Sequence, residues 1–422
     1  MDKPLADSNQ KSSKAFEIVL IIVCWLIYSF AQLGRYSYSS NVTLIMDQYN
    51  VTKTVASLPT TLYFLAYGLG QIFIGFFCSK LNRKVVLTLS LLGSAISNVV
   101  LYIGVDFELI KWVWIFNGLC QATLWPSLMF TLRKGVHEKY KPFSAIMMSI
   151  ASTGGMFLSY GLFALMSMNP ENYTNSFLVS SIILALTSVL WFVICGILDK
   201  KTPYEDAEPA KPDDAAVQNQ PAKKKGNSGV ILLLMVFIEF SFVAYAVSGG
   251  LNSWVPVILK EEYGFEDWVA ILTSVLLPLF MLSVSFITTF AYKKAKGFVL
   301  PIVVAYILTT VLLICAIFAI NLSWIVLVVS FVLACISVGI VSNMTTVQVP
   351  LYMKGKFDAG FLAGILNGTC YVGRAFSTFI LAVLADQYEW EVSFGFLAGL
   401  AALSSIIAIA FFIANKRRGE RI

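Results

Sequence analysis

Three charged side chains stand inside stretches that are otherwise apolar, and each could do chemistry: Arg35, Arg374 and Glu239. A guanidinium is planar and permanently charged, and it can fork two hydrogen bonds onto a carboxylate or phosphate. A carboxylate whose surroundings alternate between wet and dry can take up and release a proton, which is what proton coupling requires. Arg35 lies 17 residues past Ile18, and Arg374 lies 17 residues past Phe357. At 1.5 Å per residue both stand about 25 Å along their helices. Glu239, 9 residues past Val230, stands about 14 Å in. A charge at such depth in a membrane costs about 2.5–3.5 kcal/mol, so it normally faces a bundle interior or a wet cavity. Two arginines at one depth could hold a small anion between them. They could equally tie helices together through carbonyls or a buried acid, and Glu239 could be a fixed counter-ion instead of a proton site.

The spacing of polar residues extends these three into faces. Tyr28, Gln32, Arg35 and Ser39 recur at steps of 4, 3 and 4, and Asn367, Tyr371 and Arg374 at 4 and 3, so each set shares one side of a helix. Tyr63, Tyr67 and Gln71 form another such face, as do Asn117, Gln121 and Trp125, and Tyr245, Ser248 and Asn252. The expected substrate contacts are Arg35, Arg374, Tyr67, Gln121, Tyr371, Asn367, Gln32 and Asn252, with Glu239 as the proton-coupling candidate. For any one of the neutral residues, hydrogen bonding from helix to helix is an equal alternative. Ser248–Gly250, Gly154–Gly155 and Pro126 are expected hinges, where freed backbone groups could line a cavity.

These faces need helices that cross a membrane. The chain has 422 residues, 58% hydrophobic and 13% charged, whereas a soluble domain carries about 25% charged residues. Twelve apolar segments follow one another, near 16–45, 56–79, 84–105, 110–133, 143–167, 176–198, 229–258, 268–291, 297–320, 323–350, 357–385 and 390–414. Each is long enough for a transmembrane helix, and none alternates like a barrel strand. Of 30 Lys and Arg, 25 fall at the termini or in the even-numbered loops, and the odd-numbered loops hold only Lys53, Lys111 and Lys260. The positive-inside rule then puts both termini in the cytoplasm. The expected organisation is a cytoplasmic terminus (1–15), a six-helix half (16–198), a Pro- and charge-rich linker without structure of its own (199–228), a second six-helix half (229–414) and a short tail (415–422). The apolar run after residue 15 lacks a small-residue cleavage site and reads as a retained helix.

Several functions are excluded by what the chain lacks. The seven cysteines all fall in or at the ends of apolar segments, without metal-ligand spacing, and the single histidine, His137, lies in a basic loop. Neither a disulfide framework nor a zinc site is expected. Without a phosphate-cradling glycine loop or a nucleophile motif, an enzyme, a nucleotide-driven pump and a cofactor are not expected either. The net charge of +6 is spent on orientation, so it does not indicate nucleic acid.

GFFCSKLNRKVV (Gly75–Val86) resembles the loop between helices 2 and 3 of the major facilitator superfamily, with Arg83 and Lys84 as its gating-loop cations. That loop's usual acidic residue is Ser79 here, and its second glycine is Asn82. More narrowly, Arg35, NGLCQATLWPSL (Asn117–Leu128) and SWVPVILKE (Ser253–Glu261) resemble the organophosphate:phosphate antiporters, the glycerol-3-phosphate transporter group. The resemblance implies an all-α membrane protein of twelve transmembrane helices in two halves around a central cavity, the halves rocking against each other. It would also imply a second substrate arginine near Ser248 and a histidine near Ala151, and neither is present. The sequence has Arg374 in its eleventh segment instead, so phosphate binding by the family's arginine pair on helices 1 and 7 does not carry over.

The combined expectation is a secondary transporter in the cell membrane, moving a carboxylate or phosphorylated metabolite by antiport or proton symport. Its partners would be a small anion and the lipid bilayer, with no nucleic acid or nucleotide, and the chain would act as a monomer. A transporter-like sensor of an organic anion and a drug or metabolite efflux pump are the alternatives.

Overall fold

The computed structural model describes residues 14–77, 82–201, 227–295, 297–349 and 359–417, and these contain helices and no strand. The first half of the chain forms α1 (Lys14–Ser40), α2 (Val42–Tyr49), α3 (Lys53–Phe77), α4 (Arg83–Tyr102), α5 (Phe107–Ala122), α6 (Leu124–Gly135), α7 (Lys141–Met166) and α8 (Asn175–Lys201). The second half forms α9 (Asn227–Tyr263), α10 (Asp267–Ser274), α11 (Leu276–Met281), α12 (Val284–Ala295), α13 (Val299–Ala319), α14 (Trp324–Asn343), α15 (Ala359–Gln387) and α16 (Trp390–Arg417). A π-helical turn, Met344–Gln348, follows α14. The expected linker lies outside the described residues over 202–226, as do Ser79 and Lys80.

Ten helical stretches among the described residues are long and apolar enough to cross a membrane. The segments expected at 56–79 and 110–133 are helical but are not among the ten, so length and composition do not establish twelve spans. The reasons are local. Over its described residues, helix α3 carries Thr60, Thr61, Tyr63, Tyr67 and Gln71, which lower its hydropathy there. The other segment is broken at Thr123, because the ring of Pro126 clashes with the carbonyl four residues back, where α5 ends. Pro278 similarly divides α10 from α11 at Val275. The expected hinges at Gly154–Gly155 and Ser248–Gly250 do not interrupt their helices, since α7 and α9 run straight through them. Glycine alone removes no backbone hydrogen bond, so neighbouring helices can hold it in register.

Large apolar side chains cover the outside of the bundle: Phe73, Trp112, Phe286, Phe290 and Phe318 are all exposed. In water such a surface would aggregate, whereas in lipid it is the expected exterior. Inside the first half α1 packs on α7 and α8, and α3 on α5. Inside the second, α9 packs on α14 and α15, and α13 on α16. The halves meet where α3 crosses α15 and where α7 meets α10. At the first crossing a Cβ added to Gly68 would lie 2.9 Å from the Gly368 carbonyl and 3.1 Å from Tyr371 Cβ, so only glycine allows this approach. At the second, Tyr36, Met156 and Tyr160 share a buried cluster with Ile271 and Val275.

Asn82, which replaces the family's glycine, has a defined task. Its side chain caps α4, accepting from the amides of Lys84 at 3.1 Å and Val85 at 3.3 Å.

Candidate functional site

Arg35 is aimed by its own helix, which amides on α4 and α5 hold from behind. Gln121 donates to the Ala31 carbonyl at 3.2 Å and Asn117 to the Gly34 carbonyl at 2.9 Å. Ser37 donates to Asn98 at 2.7 Å. Three polar contacts within two turns fix the rotation of α1, and Arg35 is left pointing toward the second half. Its Nε donates to the Tyr63 hydroxyl at 3.0 Å, and Tyr63 donates onward to Gln121 Oε1 at 3.0 Å. Its Nη1 donates to the Tyr371 hydroxyl of the opposite half at 3.2 Å. The guanidinium carbon lies 4.3 Å from the centre of the Tyr67 ring, a cation–π contact in a desolvated setting. Nη2 is buried and has no hydrogen-bond partner.

Arg374 mirrors this from α15. Its Nη1 donates to the hydroxyl of Tyr36, in the first half, at 3.0 Å. Its guanidinium carbon lies 4.7 Å from the Phe64 ring centre, and its Nε is buried without a partner. Gly249 of α9 makes room for the stem, because a Cβ there would fall 2.9 Å from Arg374 Cβ and 3.1 Å from its Cα. The glycine that sequence marked as a hinge is therefore a seat for the arginine. Gly249→Ala should cost about 1–3 kcal/mol by overpacking and depress uptake by displacing Arg374. Gly154, by contrast, has nothing within 4 Å of an added Cβ, so Gly154→Ala should be neutral or stabilising. Thermal unfolding in detergent with uptake assays on both variants checks the contrast, and equal behaviour would refute it.

Both arginines are buried, at 2% and 8% exposure. Among the described residues no acidic side chain pairs with either of them. Three rings pack beside them: Tyr371 lies 4.3 Å from Tyr67 and 6.1 Å from Phe64, centre to centre. Each half thus contributes one arginine, and each arginine donates to a tyrosine of the other half. Chemically this is a cationic, aromatic-walled centre with unused N–H donors.

The Major Facilitator Superfamily, as a family, matches residues 24–378 of the chain. The chain belongs to that superfamily. Among relatives it is similar to the "Probable hexose phosphate transport protein" of Chlamydia trachomatis, 22% identical over 98% of this chain and 93% of that protein. It is also similar to the "Phosphoglycerate transporter protein" of Salmonella typhimurium, 21% identical over 96% and 89% of the two chains. Among solved structures, a bacterial homologue of the human lysosomal transporter Spinster superposes with a TM-score of 0.70 at 15% identity, covering 96% of this chain and 98% of that one. A POT family transporter in complex with 5-aminolevulinic acid gives 0.71 at 14% identity, covering 93% and 95%. These structural likenesses bear on the fold alone. The protein is a major facilitator transporter, not an enzyme.

Of the transporter's other candidate residues, some touch its two arginines and others lie away from them. Tyr67 and Tyr371 touch Arg35 directly, whereas Gln121 reaches it through Tyr63 and is otherwise committed to α1 and to Ser94 at 2.8 Å. Gln32 donates to its own helix at the Tyr28 carbonyl, 3.1 Å away, leaving its Oε1 unpartnered. Asn367 bonds Gln71 across the α3–α15 crossing. Asn252 also bonds locally, to the Ser248 carbonyl at 2.6 Å. Its own carbonyl, released by Pro256, accepts from Tyr160 of the first half at 3.0 Å. Glu239 faces away from the centre: its Oε1 accepts from Ser404 of α16 at 2.5 Å, and its Oε2 is buried without a partner. It forms no ion pair with an arginine among the described residues, so the counter-ion alternative has no support in the geometry. The Arg83 guanidinium carbon lies 4.8 Å from the Phe130 ring centre and Lys84 Nζ 4.2 Å from that of Phe192.

Sequence reasoning missed Tyr36, Phe64 and Tyr160. Tyr36 follows Arg35 and is turned 100° from it, off the face that steps of 3 and 4 define. A wide interface takes in both. It also missed a latch at the end of the bundle, formed by the helix ends that flank the turns after α2, α9 and α15. Lys53 Nζ meets Glu261 at 3.0 Å, and Lys260 Nζ meets Asp47 at 2.6 Å and Asp267 at 2.9 Å. Asp386, from the end of α15, accepts the amides of Lys53 at 3.1 Å and Thr54 at 2.7 Å, capping α3 across the two halves.

Proposed function

We propose that this transporter carries a small organic anion, a phosphorylated metabolite or a carboxylate, by alternating access of its two halves. Arg35 and Arg374 would be the anion-binding pair. The carrying observation is that both guanidinium groups are buried between the halves without an acidic partner, and each retains an N–H with no acceptor. Leaving a charged donor buried and unsatisfied is costly, so a site of this kind suits a ligand that supplies oxygen acceptors. The names of the two relatives, one for hexose phosphate and one for phosphoglycerate, favour the phosphorylated class. Tyr67 and Tyr371 would form the walls, Gln32 the floor, and Asn367 and Asn252 would act at the interface of the halves. The charge bias puts both termini and the Arg83–Lys84 loop in the cytoplasm and the latch outside.

Counterflow in proteoliposomes, with hexose 6-phosphates, phosphoglycerates, and mono- and dicarboxylates, tests this directly. Labelled anion should accumulate against at least one of them, and wild-type protein that binds and exchanges none would overturn the proposal. The energy source would be an exchanged anion or a proton. For the proton, Glu239 is the group we assign. Glu239→Gln keeps shape and removes charge, so it should abolish accumulation driven by a pH gradient while counterflow continues. Full accumulation by this variant would instead assign the drive to exchange.

A further inference from the structure

We propose that Tyr36 and Tyr371 are positioning residues that let the two halves close on the arginines without an anion, which makes the carrier capable of net transport and not bound to strict exchange. The inference rests on Arg35 and Arg374 being the binding pair. A carrier that closes its halves over two guanidinium groups must find acceptors for the N–H donors that the opposite half directly covers, because an unpartnered buried charge is strongly destabilising, even though one donor on each arginine stays open to a ligand. If only the substrate supplied those acceptors, the unloaded protein could not pass through the closed state, and every outward step would need a bound anion.

Here the protein itself supplies acceptors, and it does so reciprocally. Arg35 of α1 donates to Tyr371 of α15 at 3.2 Å, and Arg374 of α15 donates to Tyr36 of α1 at 3.0 Å. Each bond joins one half to the other, so both exist only while the halves are together. The rings of Tyr67 and Phe64 face the same two guanidinium groups at 4.3 and 4.7 Å. A phenol is a suitable stand-in: it accepts from a cation and, being neutral, leaves the net charge of the site free to attract an anion. A carboxylate in its place would compete with the substrate. The bond from Arg35 to Tyr63 is different in kind, since both lie in the first half and their 3.0 Å contact does not require closure.

The test needs no ligand. Full-length protein with one fluorophore at Ile103 and one at Leu322, exposed positions on opposite halves, is observed by single-molecule energy transfer in buffer free of phosphate and carboxylates. Wild type should visit the short-distance state under these conditions. Tyr36→Phe or Tyr371→Phe should each lower its population relative to the long-distance state by about tenfold, the factor for one hydrogen bond to a charged group. Tyr63→Phe should weaken anion binding without moving this ratio. A wild type that closes only after an anion is added would overturn the proposal. So would Phe variants that close normally, or a Tyr63→Phe variant that loses closure equally. Failure of the anion site itself would appear separately, as absent counterflow with the distance changes intact. Where counterflow identifies a substrate, the ratio of net efflux to saturated exchange should fall about tenfold in the two cross-half variants. A variant too unstable to observe leaves the wild-type measurement decisive.

Discussion

Replacing Arg35 by lysine should lower anion uptake on the order of a hundredfold, equivalent to ~3 kcal/mol of lost stabilisation, while the protein still folds. Charge is conserved in this substitution and geometry is not. Arg35 directs Nε to Tyr63 at 3.0 Å and Nη1 to Tyr371 at 3.2 Å, and keeps Nη2 free. An ammonium is a point charge on a flexible stem and cannot serve three directions fixed in one plane. It also loses the guanidinium's contact with the Tyr67 ring, 4.3 Å from its centre. Each hydrogen bond to a charged group contributes about 1.5–3 kcal/mol, so the loss of one bond and the free donor accounts for the magnitude. Arg374 makes one described bond, to Tyr36, so Arg374→Lys should be the milder of the two. Uptake and labelled-anion binding, with matched thermal unfolding, measure both. Near-normal uptake by Arg35→Lys would show that only charge matters, and a reversed order would show that the two arginines are misassigned.

What sequence revealed and what it did not divide along a physical line. Long apolar helices and rare intramembrane charges are local properties, and hydropathy with a helical period is enough to find them. The faces through Arg35 and Arg374 belong to that kind, because a helix repeats every 3.6 residues whatever surrounds it. Tyr36, Asp386 and Gly249 belong to the other kind. Asp386 caps a helix whose first residue is 333 positions away, and nothing along the chain announces that encounter. Gly249 looks like a breaker in isolation and becomes a seat only when α15 lies against it. The lysines of the latch were legible as charges that orient the chain, but their partners come from packing. Asn82 was legible as a departure from a family pattern, and its capping role required the backbone.

Reversing one charge at the latch should bias the transporter toward opening at that end and slow uptake by about tenfold or more. Lys53→Glu would put a carboxylate where an ammonium now stands 3.0 Å from Glu261, with Asp386 bound at the amides of residues 53 and 54. Neutralisation alone would do little, since Lys53 and Glu261 are partly exposed, at 16% and 34%, and such pairs contribute at most about 1 kcal/mol. Reversal adds repulsion to that loss. At an effective dielectric near 20, two like charges about 4 Å apart cost up to about 4 kcal/mol before salt and side-chain movement reduce it. The expected order is therefore Lys53→Glu well below Lys53→Gln, with Lys53→Gln close to wild type. High salt should narrow the gap, because screening weakens repulsion between exposed groups. Exchanging the partners, Lys53→Glu with Glu261→Lys, should restore most of the uptake. Restoration would be incomplete, because the new carboxylate at position 53 still faces Asp386. Distances between Ile103 and Leu322 would report the opening independently of transport. If Lys53→Glu and Lys53→Gln behaved alike, the pairing at this end would be a surface contact with no part in closing the two halves.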